Sequence, residues 1–248
     1  MATPSKVRRA LRLVARAAAA DLRTVAESAA QSGSPSQIRA ALFAATPLIV
    51  GDYTDGSSAL AVDWYSELRD AAEVAQRFSP RPLVLVTDDE IAAIVAETTS
   101  ALRDIERGIE KDVEVALTES LDLLTAEIEE EVAAAFRDTI TGNATADPAA
   151  VGWRRFARPE ACKFCLMLAA RGAVYTAATA RFAAHGAVMG GNRKGGNCMC
   201  IAGPAFGGKE IWAEATPMQY VASSTKRTPE QQAALRAYLN TNYPDAPG

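Results

Sequence analysis

The sequence has little histidine, little cysteine and few aromatic side chains. Its 248 residues include one histidine and four cysteines, and aromatic residues make up 6%. A hydrolase that uses histidine as its catalytic base could therefore use only one residue of this chain. The motifs G-x-S-x-G and H-E-x-x-H are both absent from the sequence. Scarce aromatics beside abundant alanine favour helices packed through small side chains over a β-sandwich. We expect a mainly α-helical protein.

Long hydrophobic runs are also missing. No stretch approaches the ~18 uninterrupted apolar residues of a membrane span. The amino-terminal stretch "MATPSKVRRALRLVARAAAADL" is interrupted by Arg12 and Arg16, which suits an amphipathic helix better than a signal peptide. We expect this stretch to be retained and the protein to be made in the cytoplasm without membrane association, in a reducing compartment where structural disulfides are rare.

Breaks in the hydrophobic pattern divide the first half of the chain. The stretches "SGSPSQ" (32–37) and "GDYTDGSSA" (51–59) are rich in glycine, proline and small polar residues, so we predict turns there and separate helices between them. The run "SPRPLVLV" predicts a strand or an extended arm. Thr87 and Glu90 then have the spacing of a capping box, which marks the start of the next helix.

A long helical body is predicted over residues 88–140. Apolar residues recur at helical spacing through this range without a proline, from Ile91 to Phe136. Gly108 is the weakest point of the pattern, so one continuous helix and a hairpin of two helices both stay open. Either arrangement needs partners for its apolar face, so self-association through this helix is one possibility.

The stretch "TGNATADPAA" (141–150) predicts the end of this helix and a domain boundary. We expect a helical body at 1–147 and a small α+β module at 148–248, with a short terminal helix that starts near Thr228, Pro229 and Glu230.

All four cysteines and the only histidine lie between residues 162 and 200. Cys162 and Cys165 form C-x-x-C, and Cys198 and Cys200 form C-x-C. Two short-spaced thiol pairs suit tetrahedral zinc, because a tight turn aims both sulfurs of a pair at one point. We predict a structural zinc site of these four thiolates that staples the module. His185 is a possible substitute ligand.

Three other interpretations of the cysteines stay open. The first is a disulfide or a redox pair, although a redox C-x-x-C usually follows a strand in a thioredoxin-like context and no such alternation precedes Cys162. A nucleophilic cysteine would need His185 as its base. Ordinary buried thiols are the remaining alternative.

Charge is divided unevenly along the chain. Residues 88–140 hold 4 Lys or Arg against 16 Asp or Glu, whereas residues 151–200 hold 8 against 1. The basic module could contact the phosphates of packaged double-stranded DNA, or it could dock on its own acidic helices. The candidate phosphate-contacting residues are Arg154, Arg155, Arg158, Arg193 and Lys194.

The cysteine stretch resembles the phage Mu protein F-like (MuF-like) minor head proteins. That family carries C-x-x-C, then a glycine followed by an aromatic residue, then a closing C-x-C, here "CKFCLMLAARGAVY" and "NCMC". The family usually has a histidine three residues before the closing pair, where this chain has Gly195. The departure favours ligation by cysteine alone. "LAVDWYSELRDAA" before a long helical body is similar to minor capsid proteins of actinobacterial tailed phages.

The resemblance implies a component of the phage head that is made in the host cytoplasm and ends up in the virion. Such a protein would act with the portal and other head proteins in head morphogenesis, DNA packaging or ejection. The alternative is a capsid maturation protease, since such genes are described in both ways. No catalytic residues can be assigned from the sequence, and we favour an assembly protein over an enzyme.

Overall fold

A computed structural model describes residues 4–31, 33–83, 86–109, 112–156 and 201–206, together with five single positions in the tail: Glu230, Ala233, Ala237, Asn240 and Thr241. Five helices and two strands lie in this part of the chain. They are α1 (Pro4–Ala30), α2 (Pro35–Ala71), α3 (Asp88–Thr98), α4 (Ser100–Glu106), α5 (Val113–Ala146), β1 (Ala150–Phe156) and β2 (Ile201–Phe206). The prediction of a mainly helical protein is confirmed. The single tail positions are helical, as expected of the terminal helix.

The chain divides into two compact units. One comprises Met1–Arg8, Asp63–Arg81 and Ile140–Gly248, and the other comprises Arg9–Val62 and Pro82–Thr139. Helices α1, α2 and α5 each contribute residues to both units. The second unit is helical throughout its regular elements, and its core consists of small and branched side chains such as Leu22, Leu42, Val95, Leu124 and Ile128, all fully buried.

Helix α2 runs through the stretch 51–59, so the turn predicted there is wrong. The small polar residues of this stretch are buried and find main-chain acceptors. Ser57 Oγ donates to the carbonyl of Val132 in α5 at 2.6 Å, and Thr54 Oγ1 donates to the carbonyl of Val50 at 2.7 Å. Small side chains that satisfy their own hydroxyls let two helices approach closely. The residues that indicated a turn are thus packing residues.

The region 88–140 is divided into three helices. The capping box at the start of α3 is confirmed, because Glu90 N donates to Thr87 Oγ1 at 3.3 Å and Thr87 N donates to Glu90 Oε2 at 2.8 Å. The main break follows α4. Gly108 has φ +81°, and Ile109 N donates to the carbonyl of Asp104 at 3.1 Å, as in a Schellman motif.

The start of α5 is capped as well, since Asp112 Oδ1 accepts hydrogen bonds from Glu114 N at 2.9 Å and Val115 N at 3.0 Å. Hydrogen bonds therefore cap the end of α4 and the start of α5 on either side of the break. Ile109 and Val113, which the helical stripe placed in the core, are 54% and 39% exposed because the break shifts the phase of the stripe.

Helix α5 ends six residues later than the predicted limit of 140, at Ala146. Asn143 explains the extension, because its side chain is buried and binds the main chain of Arg81 twice, at 2.8 Å to N and 2.8 Å to O. In the second unit Thr139 Oγ1 binds Leu83 in the same way, at 3.0 Å to N and 3.0 Å to O. The described residues 79–83 form the extended arm that the sequence offered as an alternative to a strand.

Gly108→Ala should lower the free energy of unfolding by about 1 kcal/mol, because alanine at a positive φ is strained. Gly56→Ala is the matched control inside α2, where nothing lies within 4 Å of an added Cβ. It should raise stability by about 0.5–1 kcal/mol. Urea unfolding followed by far-ultraviolet circular dichroism measures both changes. Equal shifts of the same sign would contradict the assigned turn.

Candidate functional site

The strands β1 and β2 form an antiparallel ribbon that frames the cysteine stretch. Phe156, the last residue of β1, pairs with Ile201, the first residue of β2. Cys162 follows Phe156 by six residues, and Cys200 directly precedes Ile201. All four predicted thiolate ligands and His185 lie outside the described residues. The described structure nearest to them in sequence is the ribbon with the side chains that pack on it, and we take these as the candidate site.

Aromatic rings of α2 pack against both ends of the ribbon. Trp64 meets Phe156 edge-on with ring centroids 5.6 Å apart, and Tyr65 meets Phe206 edge-on at 5.7 Å. Such pairs contribute about 0.5–1.5 kcal/mol beyond the area they bury. Trp64 and Leu68 lie four residues apart, the spacing at which side chains share one face of a helix, and both are buried. Their partners are the strands, which come from distant sequence.

Gly203 in β2 sets the closeness of this packing. A Cβ at this position would lie 2.9 Å from Phe156 Cε2 and 3.1 Å from Trp64 Cη2. Both distances are tighter than ordinary van der Waals contact, and both neighbouring atoms belong to aromatic rings buried in the core. Glycine is therefore required here by close approach and not by its backbone angles.

A buried ionic cluster of Asp147, Arg69 and Tyr65 fixes the point where α5 turns into β1. The Arg69 guanidinium donates to Asp147 Oδ2, and Tyr65 OH donates to the same oxygen at 2.9 Å. The other carboxylate oxygen accepts from Ala149 N at 3.0 Å, which closes an Asx turn. The Asp147 side chain is 0% exposed and that of Arg69 is 7% exposed.

Arg69 is also held from two sides by aromatic rings. Its guanidinium carbon lies 5.3 Å from the centre of the Phe78 ring and 5.6 Å from that of Phe206. The chain returns to this place because α2 ends in a turn with Glu73 at φ +53°, after which the carbonyl of Gln76 accepts a hydrogen bond from Arg69. Planar stacking and a fork of donors are what arginine offers and lysine does not.

The electrostatics of the cluster favour a structural role. Burial, followed by the hydrogen bond to Asp147, raises the pKa of Tyr65 well above its usual value, so the phenol keeps its proton throughout the physiological range. Asp147 accepts from three donors, and Arg69 is engaged by carboxylate, carbonyl and rings. The cluster holds the ribbon in place and offers no group for proton transfer to a substrate.

Two of the predicted phosphate-contacting residues are described, and both are buried. Arg154 and Arg155 are 8% and 6% exposed, and the Arg154 guanidinium lies over the Phe156 ring at 5.3 Å. Arg158, Arg193 and Lys194 lie outside the described residues. Arg8, which the sequence did not single out, donates from Nη1 to the carbonyl of Phe156 at 2.8 Å and secures the end of β1.

The described part of the chain contains no group of three or more His, Cys, Asp or Glu side chains arranged to hold a metal ion. Among the described helices, none combines the length and the apolar character needed to cross a bilayer. Sequence reasoning missed Tyr65, Arg69 and Asp147 as a cluster. The single local signal was Asp147 before Pro148, typical of a turn that follows a helix.

A family model fits almost the whole chain. The model described as VG15 protein matches residues 2–226. The chain belongs to the VG15 protein family. This is a viral, phage protein family, so the phage origin implied by the sequence resemblance is confirmed at that level. Searches of curated proteins and of solved structures gave no match for this VG15 family member.

Asp147→Ala should destabilise the protein by about 3–5 kcal/mol, since it leaves the Arg69 cation buried without its carboxylate. Asp122→Ala is the control, because its bond to Arg23 spans 3.5 Å between side chains that are 69% and 43% exposed. Its cost should stay below about 1 kcal/mol. Urea unfolding followed by tryptophan fluorescence reports on Trp64 and Trp153. Similar costs for the two variants would refute the anchoring role of Asp147.

Proposed function

We propose that this VG15 family member is a minor head (minor capsid) protein that acts with the portal in head morphogenesis, DNA packaging or ejection. Membership of a phage protein family supports the setting. The spacing of the cysteine pairs, together with the glycine and aromatic residue between them, supports the MuF-like assignment.

We further propose that Cys162, Cys165, Cys198 and Cys200 hold one structural zinc ion. The pairing of Phe156 with Ile201 is the observation that carries this proposal. Paired Cα atoms lie about 4.5–5.5 Å apart, and six residues of extended chain reach at most about 20 Å. Because Cys200 directly precedes Ile201 and Cys162 follows Phe156 by six residues, this pairing supports a site that joins the two thiol pairs.

The donor set fits zinc. Four thiolates close a tetrahedral shell, leaving no open position for a water or substrate, so the ion would supply folding energy and no catalysis. The ribbon also lowers the entropic cost of forming the zinc site. Strand pairing and the packing at Gly203 already hold together the two ends of the segment of 44 residues between Phe156 and Ile201, so zinc binding need not supply that free energy.

Contact with packaged DNA is the next step of the proposal. Because Arg154 and Arg155 are buried, we assign the phosphate contacts to Arg158, Arg193 and Lys194. Residues 151–200 keep a net charge of +7, from 8 basic residues against 1 acidic residue. Lysine and arginine that neutralise phosphates release counterions, so such binding weakens as salt is added.

The assembly role predicts where the protein is found. We expect peptides from both halves of the chain in purified mature virions at a few copies per particle, and co-purification of the protein with the portal. Cleavage of the major capsid or scaffold protein by the purified protein, abolished by His185→Ala, would instead establish the maturation protease. Absence from virions and from portal complexes, without cleavage, would contradict both functions.

Zinc binding predicts a metal content of one ion per chain in freshly purified protein. Cys198→Ser should lose the ion and unfold the module around the ribbon, whereas the ellipticity of the helices in Arg9–Val62 and Pro82–Thr139 should remain. Met199→Ser is the control, because it changes the residue between Cys198 and Cys200 and keeps all four cysteines. Metal analysis and thermal melting measure the outcome.

His185→Ala separates the two ligand sets. Retained zinc in this variant supports ligation by four cysteines, and lost zinc makes His185 a ligand. Equal metal content in the wild type, Cys198→Ser and Met199→Ser would overturn the site.

A further inference from the structure

The first half of α1 carries a row of arginines at its surface. Arg9, Arg12 and Arg16 follow one another at intervals of three and four residues, the spacing of one helix face. Arg9 and Arg16 are exposed, Arg12 is half-buried, and the helix has no acidic residue from Pro4 to Ala20. Among the described residues, none of the three arginines has an ion-pair partner. We call these three residues the arginine row.

The opposite face of α1 is held in the core. Four apolar side chains of this face are at most 4% exposed: Leu11, Ala15, Ala18 and Leu22. A helix that binds a membrane surface must insert its apolar face, and this one is already covered. From Arg9 to Ala20, all of it described, Leu13 is the single exposed large apolar side chain. Protein interfaces usually need a broader apolar centre, so the arginine row is better suited to a hydrated anion.

The acidic residues at the start of α5 lie away from the arginine row. Helix α2 contacts α1 through Tyr53 and α5 through Ser57, and α1 meets α5 where Arg23 Nη2 lies 3.5 Å from Asp122 Oδ1. These contacts set α1 antiparallel to α5. The amino-terminal parts of the two helices therefore extend in opposite directions from the contact, and the acids that precede Asp122 do not oppose a ligand of the arginine row.

A second group of acids on α5 faces α3. Glu131 follows Asp122 by nine residues, or two and a half turns, and so lies on the opposite side of α5. Burial first, and then the carboxylates of Glu130, Glu90 and Glu127, raise the pKa of Glu131 above its usual value. Because Glu90 belongs to the first turn of α3, this group lies toward α3 and not toward the side of α5 that contacts α1.

We propose that the arginine row binds the phosphate backbone of double-stranded DNA. Arg9 and Arg16 are seven residues apart in the sequence, which is about 10 Å along the helix axis. A duplex carries one negative charge per about 1.7 Å of its axis, so this length of DNA offers roughly six charges. The guanidinium fork matches the oxygens of a phosphate and can bind two of them at once.

Phosphate contacts carry no sequence information, so we expect binding without a preferred sequence. The inference rests on the proposed function for the identity of the anion, since a phage head protein meets packaged DNA. It adds a contact that lies outside the cysteine module. The tests of the proposed function, which are presence in virions and co-purification with the portal, do not depend on this contact.

Salt-dependent binding of the full chain to a fluorescently labelled DNA duplex tests the inference. The arginine-row variant carries Arg9→Gln and Arg16→Gln and removes two phosphate contacts. Anisotropy titrations should show that the slope of log K against log salt becomes shallower by about 1.8, and that binding at about 100 mM salt weakens by more than tenfold. Arg9→Lys with Arg16→Lys keeps both charges, so it should retain the slope and lose only a few-fold in affinity.

Two further variants make the result specific. The control variant carries Arg77→Gln and Arg107→Gln, which remove the same charge at exposed positions outside α1, and its slope should stay close to that of the wild type. The module variant carries Arg193→Gln and Lys194→Gln and tests the DNA contact assigned to the cysteine module. Circular dichroism verifies that each variant is folded.

The outcomes separate the two DNA contacts. A shallower slope in the arginine-row variant alone supports this inference and contradicts the contact of the module. An unchanged slope in that variant, or an equal loss in the control variant, would overturn the inference whatever the module variant shows. A wild-type chain that does not bind the duplex at low salt would overturn both contacts. If binding to vesicles of phosphatidylcholine and phosphatidylglycerol then depended on Arg9 and Arg16, the arginine row would belong to lipid headgroups instead.

Discussion

The buried carboxylate of Asp147 is the constraint on which the first unit depends. A carboxylate taken out of water is costly unless donors surround it, and here a guanidinium, a phenol and a main-chain amide do so. Meeting those requirements fixes three things at once: the end of α5, the place of the last turns of α2, and the start of β1. Arg69 extends the constraint to Phe206 in β2. The frame of the cysteine stretch is thus set by one ionic cluster and the rings around it.

Local signals in the sequence predicted local structure well. The capping box of Thr87 and Glu90 lies within four residues, and the buried face of Trp64 and Leu68 follows helical spacing, so both were visible without a fold. The turn predicted within α2 was wrong, because the buried hydroxyl of Ser57 donates to the carbonyl of Val132, which lies 75 residues away in the sequence. The late end of α5 depends in the same way on Asn143 and Arg81, 62 residues apart.

The candidate site was predictable only in its chemistry. Two short-spaced cysteine pairs indicate a ligand set, and no tertiary information is needed to see them. The frame could not be read from the sequence, because Arg69 and Asp147 are 78 residues apart and neither has a distinctive neighbourhood. The burial of Arg154 and Arg155, two of the four buried residues at the end of β1, was equally hidden in the sequence. Arginine in a sequence indicates exposed charge, whereas stacking on Phe156 lets Arg154 lie in the interior.

Charge is segregated by sign on two helices, with basic residues in the first half of α1 and acidic residues along most of α5. Like charges at helical spacing destabilise a helix by about 0.2–0.5 kcal/mol per pair, so a helix with a run of acids and another with a run of bases each bear a cost. Arg23 and Arg137 offset part of it on α5 through Asp122 and Glu130. The rest is offset by burial of the apolar faces of α1 and α5, which hold fully buried side chains such as Leu22 and Ile128.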